Sequence, residues 1–152
     1  MEASKPMKLE ETLSALLAAL SDDLNQAIFV ANSDGRYSLS FDDVSVEFYL
    51  SHGWLIIESD LKCDLSQGLN YQQESALEKV MQQALVNVRS HASVLAINEM
   101  NRLTLVQRVE AEVLPSAFIT MVNHQVDIAE RYQELMQQHT LASSDQNRVW
   151  LP

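Results

Sequence analysis

The stretch from Arg36 to Glu58 constrains this chain more than any other, because it reads as three antiparallel strands in close succession. The segments RYSLSF, VSVEFYL and WLIIES are separated only by Asp42-Asp43 and by Ser51-His52-Gly53. Tyr37, Leu39 and Phe41 alternate with Ser38 and Ser40, the period of a half-buried strand. Val44, Val46, Phe48 and Leu50 repeat the pattern, with Ser45, Glu47 and Tyr49 on the opposite face. A meander with one apolar face needs other elements to cover it.

The flanking segments supply that cover. Leu9, Leu13, Leu16, Leu17, Leu20 and Leu24 recur at spacings of three and four, which predicts a helix over Met7–Leu24 with one apolar stripe. Glu10 and Glu11 are expected in its first turn, where the helix dipole favours anions. Ala27–Ala31 is short and apolar and is expected to lead into the sheet as an extra edge strand. Asn32-Ser33-Asp34-Gly35 then has the chemistry of a turn. After the third strand, Asp60–Asn70 is polar, contains Gly68 and reads as a connecting loop.

Asn70 and Gln73 form a capping-box pattern that opens a helix to about Ser90. Its apolar positions are Leu77, Val80, Met81, Ala84, Leu85 and Val88. Ser93–Ile97 and Arg102 to about Val113 are expected to pair as a hairpin around Asn98–Asn101. Pro115 suits the first position of a final helix reaching about Gln138. That helix is apolar on more than one narrow stripe, so contact with two layers is expected. The expected order is α-β-β-β-α-β-β-α, an α+β fold with an antiparallel sheet packed by helices. One domain over residues 1–138 and a mobile tail over 139–152 complete the reading.

Composition removes several function classes. Ten Lys and Arg against 21 Asp and Glu give a net charge of −11, which disfavours nucleic acid and anionic membranes. The N-terminus lacks a secretory signal pattern, and no apolar run approaches the length of a membrane span, so a cytoplasmic protein is expected. The one cysteine, Cys63, excludes an intramolecular disulfide and a cysteine zinc cage. In the expected loop it reads as an unpaired thiol.

The search for chemistry is mostly negative. Gly35, Gly53 and Gly68 fit no phosphate-binding motif. His52, His91, His124 and His139 lack metal-ligand spacing, and His124 with Asp127 reads as a surface pair. Asp22-Asp23 and Asp42-Asp43 fit capping and turns better than acid–base catalysis. No enzyme, cofactor or metal is expected. What remains is apolar surface: three amphipathic helices and about five strands offer more of it than one thin two-layer domain buries. Tyr49, Leu55 or Ile57 would add to that surplus if they faced solvent. Dimerisation or a peptide groove would use it.

With DGRYSLSFDD followed by VSVEFYL and a G-W-L-I-I strand, the chain resembles the class I type III secretion chaperones, the Tir-chaperone family. The length, acidity and element order agree over nearly the whole chain, although Asp60–Asn70 lacks the proline usual near the end of the third strand. The resemblance implies a homodimeric bacterial cytoplasmic protein that holds the N-terminal region of a secreted effector in an extended form. It places effector contacts on Leu13, Leu16, Leu17, Leu39, Phe41, Val46 and Phe48. It places the dimer contact on Leu77, Val80, Met81, Leu85 and Val88. The secretion ATPase enters as a candidate further partner. The alternative is a non-enzymatic small-molecule-binding or regulatory domain of the same fold.

Overall fold

The computed structural model describes the backbone of residues 5–24, 32–110 and 112–149, and the side chains of residues 9–24, 32–110 and 112–137. The elements are α1 (Lys5–Leu24), β1 (Tyr37–Phe41), β2 (Val44–Ser51), β3 (Trp54–Asp64), α2 (Tyr71–Asn87), β4 (Val94–Ile97), β5 (Arg102–Val109) and α3 (Pro115–Val149). This is the expected α-β-β-β-α-β-β-α order. The expected edge strand at Ala27–Ala31 lies outside the described residues.

The strands form one antiparallel sheet in the order β1-β2-β3-β5-β4. Defined turn chemistry leads into and joins its strands. Asn32 and Asn98 build the same five-residue turn, each accepting two backbone N–H groups on its side-chain oxygen, from Asp34 and Arg36 and from Met100 and Arg102. In both, the Asn N–H donates to the Arg carbonyl four residues on, at 2.8 and 3.0 Å. The fourth position needs a left-handed backbone, filled by Gly35 (φ 78°) and by Asn101 (φ 58°), residue types that adopt it at low cost. Between β2 and β3, His52 and Gly53 both have positive φ, the two-residue turn that matches strand twist.

The third strand is longer than its apolar run suggests. Instead of ending near Glu58 it continues to Asp64, with an irregularity between Asp60 and Asp64 and Lys62 at φ 58°. Leu55, Ile57, Ser59, Leu61 and Cys63 all stay on the inner face and are buried. Cys63 is therefore a core residue and not a loop thiol, and Leu55 and Ile57 add nothing to the surface. Polar residues at 58, 60, 62 and 64 disguised this part of the strand as a loop. The fifth strand is shorter than expected and ends at Val109.

Helices cover the inner face. Leu13, Leu16, Leu17 and Leu20 of α1 are buried in the same core cluster as Leu39, Val46 and Phe48 of the sheet. Because α1 begins at Lys5, Glu10 and Glu11 fall beyond its first turn and gain little from the dipole. Helix α2 starts on the expected capping box, with Gln73 N–H to Asn70 Oδ1 at 2.8 Å and Asn70 N–H to Gln73 Oε1 at 3.0 Å. Helix α3 starts at Pro115 and runs past Gln138, packing against α1, α2, β2 and β3. Phe118 of α3 meets Phe48 with ring centroids 5.9 Å apart. Two glutamines fix α3 to the sheet backbone: Gln125 Nε2 lies 3.0 Å from Ile57 O and 3.1 Å from Leu105 O, and Gln133 Nε2 donates to Asp60 O at 3.0 Å.

Candidate functional site

A binding protein must leave surface that its own fold does not use. In α2 the apolar stripe divides. Ala76 and Val80 are fully buried, and Leu77 and Ala84 are partly buried against the core. The other side of the stripe faces solvent: Met81, Leu85 and Val88 are 53%, 73% and 58% exposed. Met81, Leu85 and Val88, four and seven residues apart, lie on the side of the helix turned away from the buried Ala76 and Val80. Of the five expected dimer residues, these three are available to a partner, and Leu77 and Val80 support them from the core.

Val94 and Ile97 of the edge strand β4 are also exposed, as is Met100 in the following turn. Sequence reasoning missed these three. Their signal was a strand with apolar residues at successive positions, VLAI, which cannot bury both faces when it sits at a sheet edge. Exposed Val86, Tyr71 and Leu114 were missed as well. Trp54, at the start of β3, has the Arg108 guanidinium 5.0 Å from its ring centroid.

The residues expected to contact an effector lie deeper. Leu13, Leu16, Leu17, Leu39, Val46 and Phe48 are all buried in the core, and only Phe41 is partly exposed. The buried six belong to the one core cluster, which also takes in β3, β5 and α3. At one end of the sheet β1 forms the edge, with one side unpaired among the described strands. Tyr37, Phe41 and Leu50 are the partly buried apolar side chains of β1 and β2 that pack against the cluster.

The outer face of the same strands carries a charged cluster. Arg36 Nη1 lies 2.7 Å from Glu47 Oε2 and 3.3 Å from Glu58 Oε2, and the guanidinium stacks 4.0 Å from the Tyr49 ring centroid. Tyr49 Oη donates to Glu58 at 3.3 Å. Burial raises the Tyr49 phenol above its ordinary value, with Glu58 adding to the effect and Arg36 opposing it. Arg102 grips Asp60 with two nitrogens, at 3.2 and 2.9 Å, the fork geometry that fits a carboxylate.

Of the residues considered for chemistry, His91, His124 and Asp127 share one groove. His124 meets His91 edge to face, ring centroids 6.1 Å apart, in a shallow groove shared with Asp127 and Arg131. Among the described residues no three His, Cys, Asp or Glu side chains could hold a metal ion together. Burial is the main effect on Cys63 and pushes its thiol up, away from a nucleophilic thiolate. No helix among the described residues is long and apolar enough to cross a membrane.

Comparison with known proteins identifies the family and the fold. The family model described as the Tir chaperone protein (CesT) family matches residues 15–133. No curated protein matches the sequence. Several solved structures share the fold. The chain is similar to the crystal structure of the ExsC–ExsE complex, with 19% identity and a TM-score of 0.64, over 83% of this chain and 94% of that one. It is similar to the structure of the HopA1–SchA chaperone–effector complex, with 11% identity and a TM-score of 0.62, over 82% and 95%. The Yersinia pestis type III secretion chaperone SycH, in complex with a stable fragment of YscM2, gives 16% identity and a TM-score of 0.55, over 78% and 98%.

Proposed function

The chain belongs to the Tir chaperone protein (CesT) family, and from that premise we propose that it is a type III secretion chaperone. It binds the N-terminal region of one or more secreted effectors in an extended form and keeps them soluble and competent for export. It acts in the bacterial cytoplasm and without catalysis, since holding a segment out of its folded state needs binding energy alone. The observation that carries the reading is the family match across residues 15–133, which spans half of α1 and every strand.

Two surfaces divide the work. A second copy of the chain covers Met81, Leu85 and Val88 of α2, whose exposure would otherwise be a liability for a soluble protein. The effector lies along β1 and β2 and packs on Phe41, Tyr37 and Leu50. Leu13, Leu16, Leu17, Leu39, Val46 and Phe48 support that surface from beneath. The secretion ATPase is a further partner of the loaded complex.

Co-expression with each secreted protein of the native cell, followed by affinity capture, tests the reading. A secreted effector is expected to be retained through its N-terminal region and lost when that region is deleted. Retention of no secreted protein overturns it.

A further inference from the structure

Besides its apolar surfaces the chain has a broad concavity of about 1530 Å³, bounded by α1, the turn into β1, β2, Glu58 of β3 and the Ile97–Met100 segment. It is larger than a small-molecule pocket of roughly 300–1,000 Å³ and suits a polypeptide. Its walls are charged in one sense. Among the described residues Glu10, Glu11, Asp34, Glu47, Glu58 and Glu99 line it against a single cation, Arg36. Tyr37, Leu50, Ile97 and Met100 supply apolar surface between these carboxylates.

Charge complementarity decides what such a groove can hold. An acidic segment would be repelled. A neutral apolar segment would bury carboxylates without partners, which costs more than its own burial returns. A segment carrying cations between apolar residues satisfies both parts of the lining. Arg36 already shows the arrangement within the chain: its guanidinium lies on the Tyr49 face and bridges Glu47 and Glu58. Among the described residues no cation is paired with Glu10, Glu11, Asp34 or Glu99.

We propose that this concavity receives an extended, arginine- or lysine-bearing stretch of polypeptide, so that the cargo segment taken by this chain is cationic as well as apolar. The inference rests on the effector-binding reading above and names the chemistry of the cargo.

The test uses the full chain and two labelled synthetic peptides of equal length, one of Arg-Leu-Ser repeats and one of Gln-Leu-Ser repeats, followed by fluorescence anisotropy. A variant combining Glu10→Gln, Glu11→Gln and Glu99→Gln removes three exposed carboxylates from the concavity. A second, combining Asp22→Asn, Glu130→Gln and Glu134→Gln, removes three exposed ones elsewhere. The arginine peptide is expected to bind more tightly than the glutamine peptide. It should lose about tenfold in affinity in the first variant and little in the second. Equal losses in the two variants would mean attraction by net charge alone and overturn the proposal. Equal binding of both peptides overturns it while leaving an apolar cargo, and so the effector reading, intact. If neither peptide binds, the concavity is not the cargo site, and effector retention on co-expression still decides the function separately.

Discussion

The amide nitrogen of Gln125, on α3, lies 3.0 Å from the carbonyl oxygen of Ile57, on β3, inside the apolar core. The same nitrogen is 3.1 Å from both Ser59 Oγ and Leu105 O, so one fully buried side chain ties the last helix to two strands. Replacing it with a leucine of similar size would keep the packing and leave these acceptors without that donor. Gln125→Leu is expected to lower unfolding free energy by about 1–3 kcal/mol, read as a lower midpoint in urea denaturation with an unchanged slope. No change in midpoint would mean that the amide contributes nothing net.

Within α2, Leu85 and Val80 carry opposite expectations from adjacent parts of one stripe. Leu85 is exposed and Val80 is fully buried. Leu85→Asp is expected to halve the solution mass by light scattering while leaving the far-ultraviolet circular dichroism spectrum unchanged. Val80→Asp places an unpaired carboxylate in the core and is expected to cost more than about 4 kcal/mol, enough to prevent folding. An unchanged mass for Leu85→Asp would move the dimer contact away from α2.

The difference between those two residues shows what sequence patterns can and cannot reveal. The alternation in β1 and β2 and the Asn70–Gln73 capping box were legible because each depends on neighbours a few residues apart. The inner face of β3 beyond Glu58 was not, because Asp60, Lys62 and Asp64 dominate its local composition, while Leu61 and Cys63 find their partners only in the folded chain. The exposed apolar side of α2 was identified as part of a stripe. Which part faced the core was not identified, since Leu77, Val80, Met81 and Leu85 differ little in character and only the position of α3 decides between them. The concave acidic lining was invisible for the same reason: Glu10, Glu47 and Glu99 come from three elements far apart in sequence.

Phe41 is the one expected effector residue that stays partly exposed, at the end of β1. Phe41→Asp is expected to weaken effector retention by about tenfold without altering the solution mass, because α2 is untouched. Loss of effector and of dimer together would show that the two surfaces are one.

Cys63 gives a pH dependence whose sign follows from its surroundings. Burial raises its thiol pKa, with Arg102 opposing and Asp60 and Asp64 adding to the rise. The unfolded chain loses the thiol proton near the ordinary value of about 8.5, while the folded chain keeps it to higher pH. Within that window the folded state binds more protons than the unfolded state, so stability falls as pH rises. Below the window both states hold the proton and the contribution is constant. Tyr49, which is also raised, acts in the same direction, so the thiol is isolated by comparison with Cys63→Ala. The stability advantage of the native chain over that variant is expected to be level between pH 6.5 and 7.5 and to shrink towards pH 10, measured by urea denaturation at each pH. An advantage that stays constant to pH 10 would show that the folded thiol ionises as freely as the unfolded one. In that case Cys63 would have to be reached by water through the irregular end of β3, where Lys62 turns out of the regular strand.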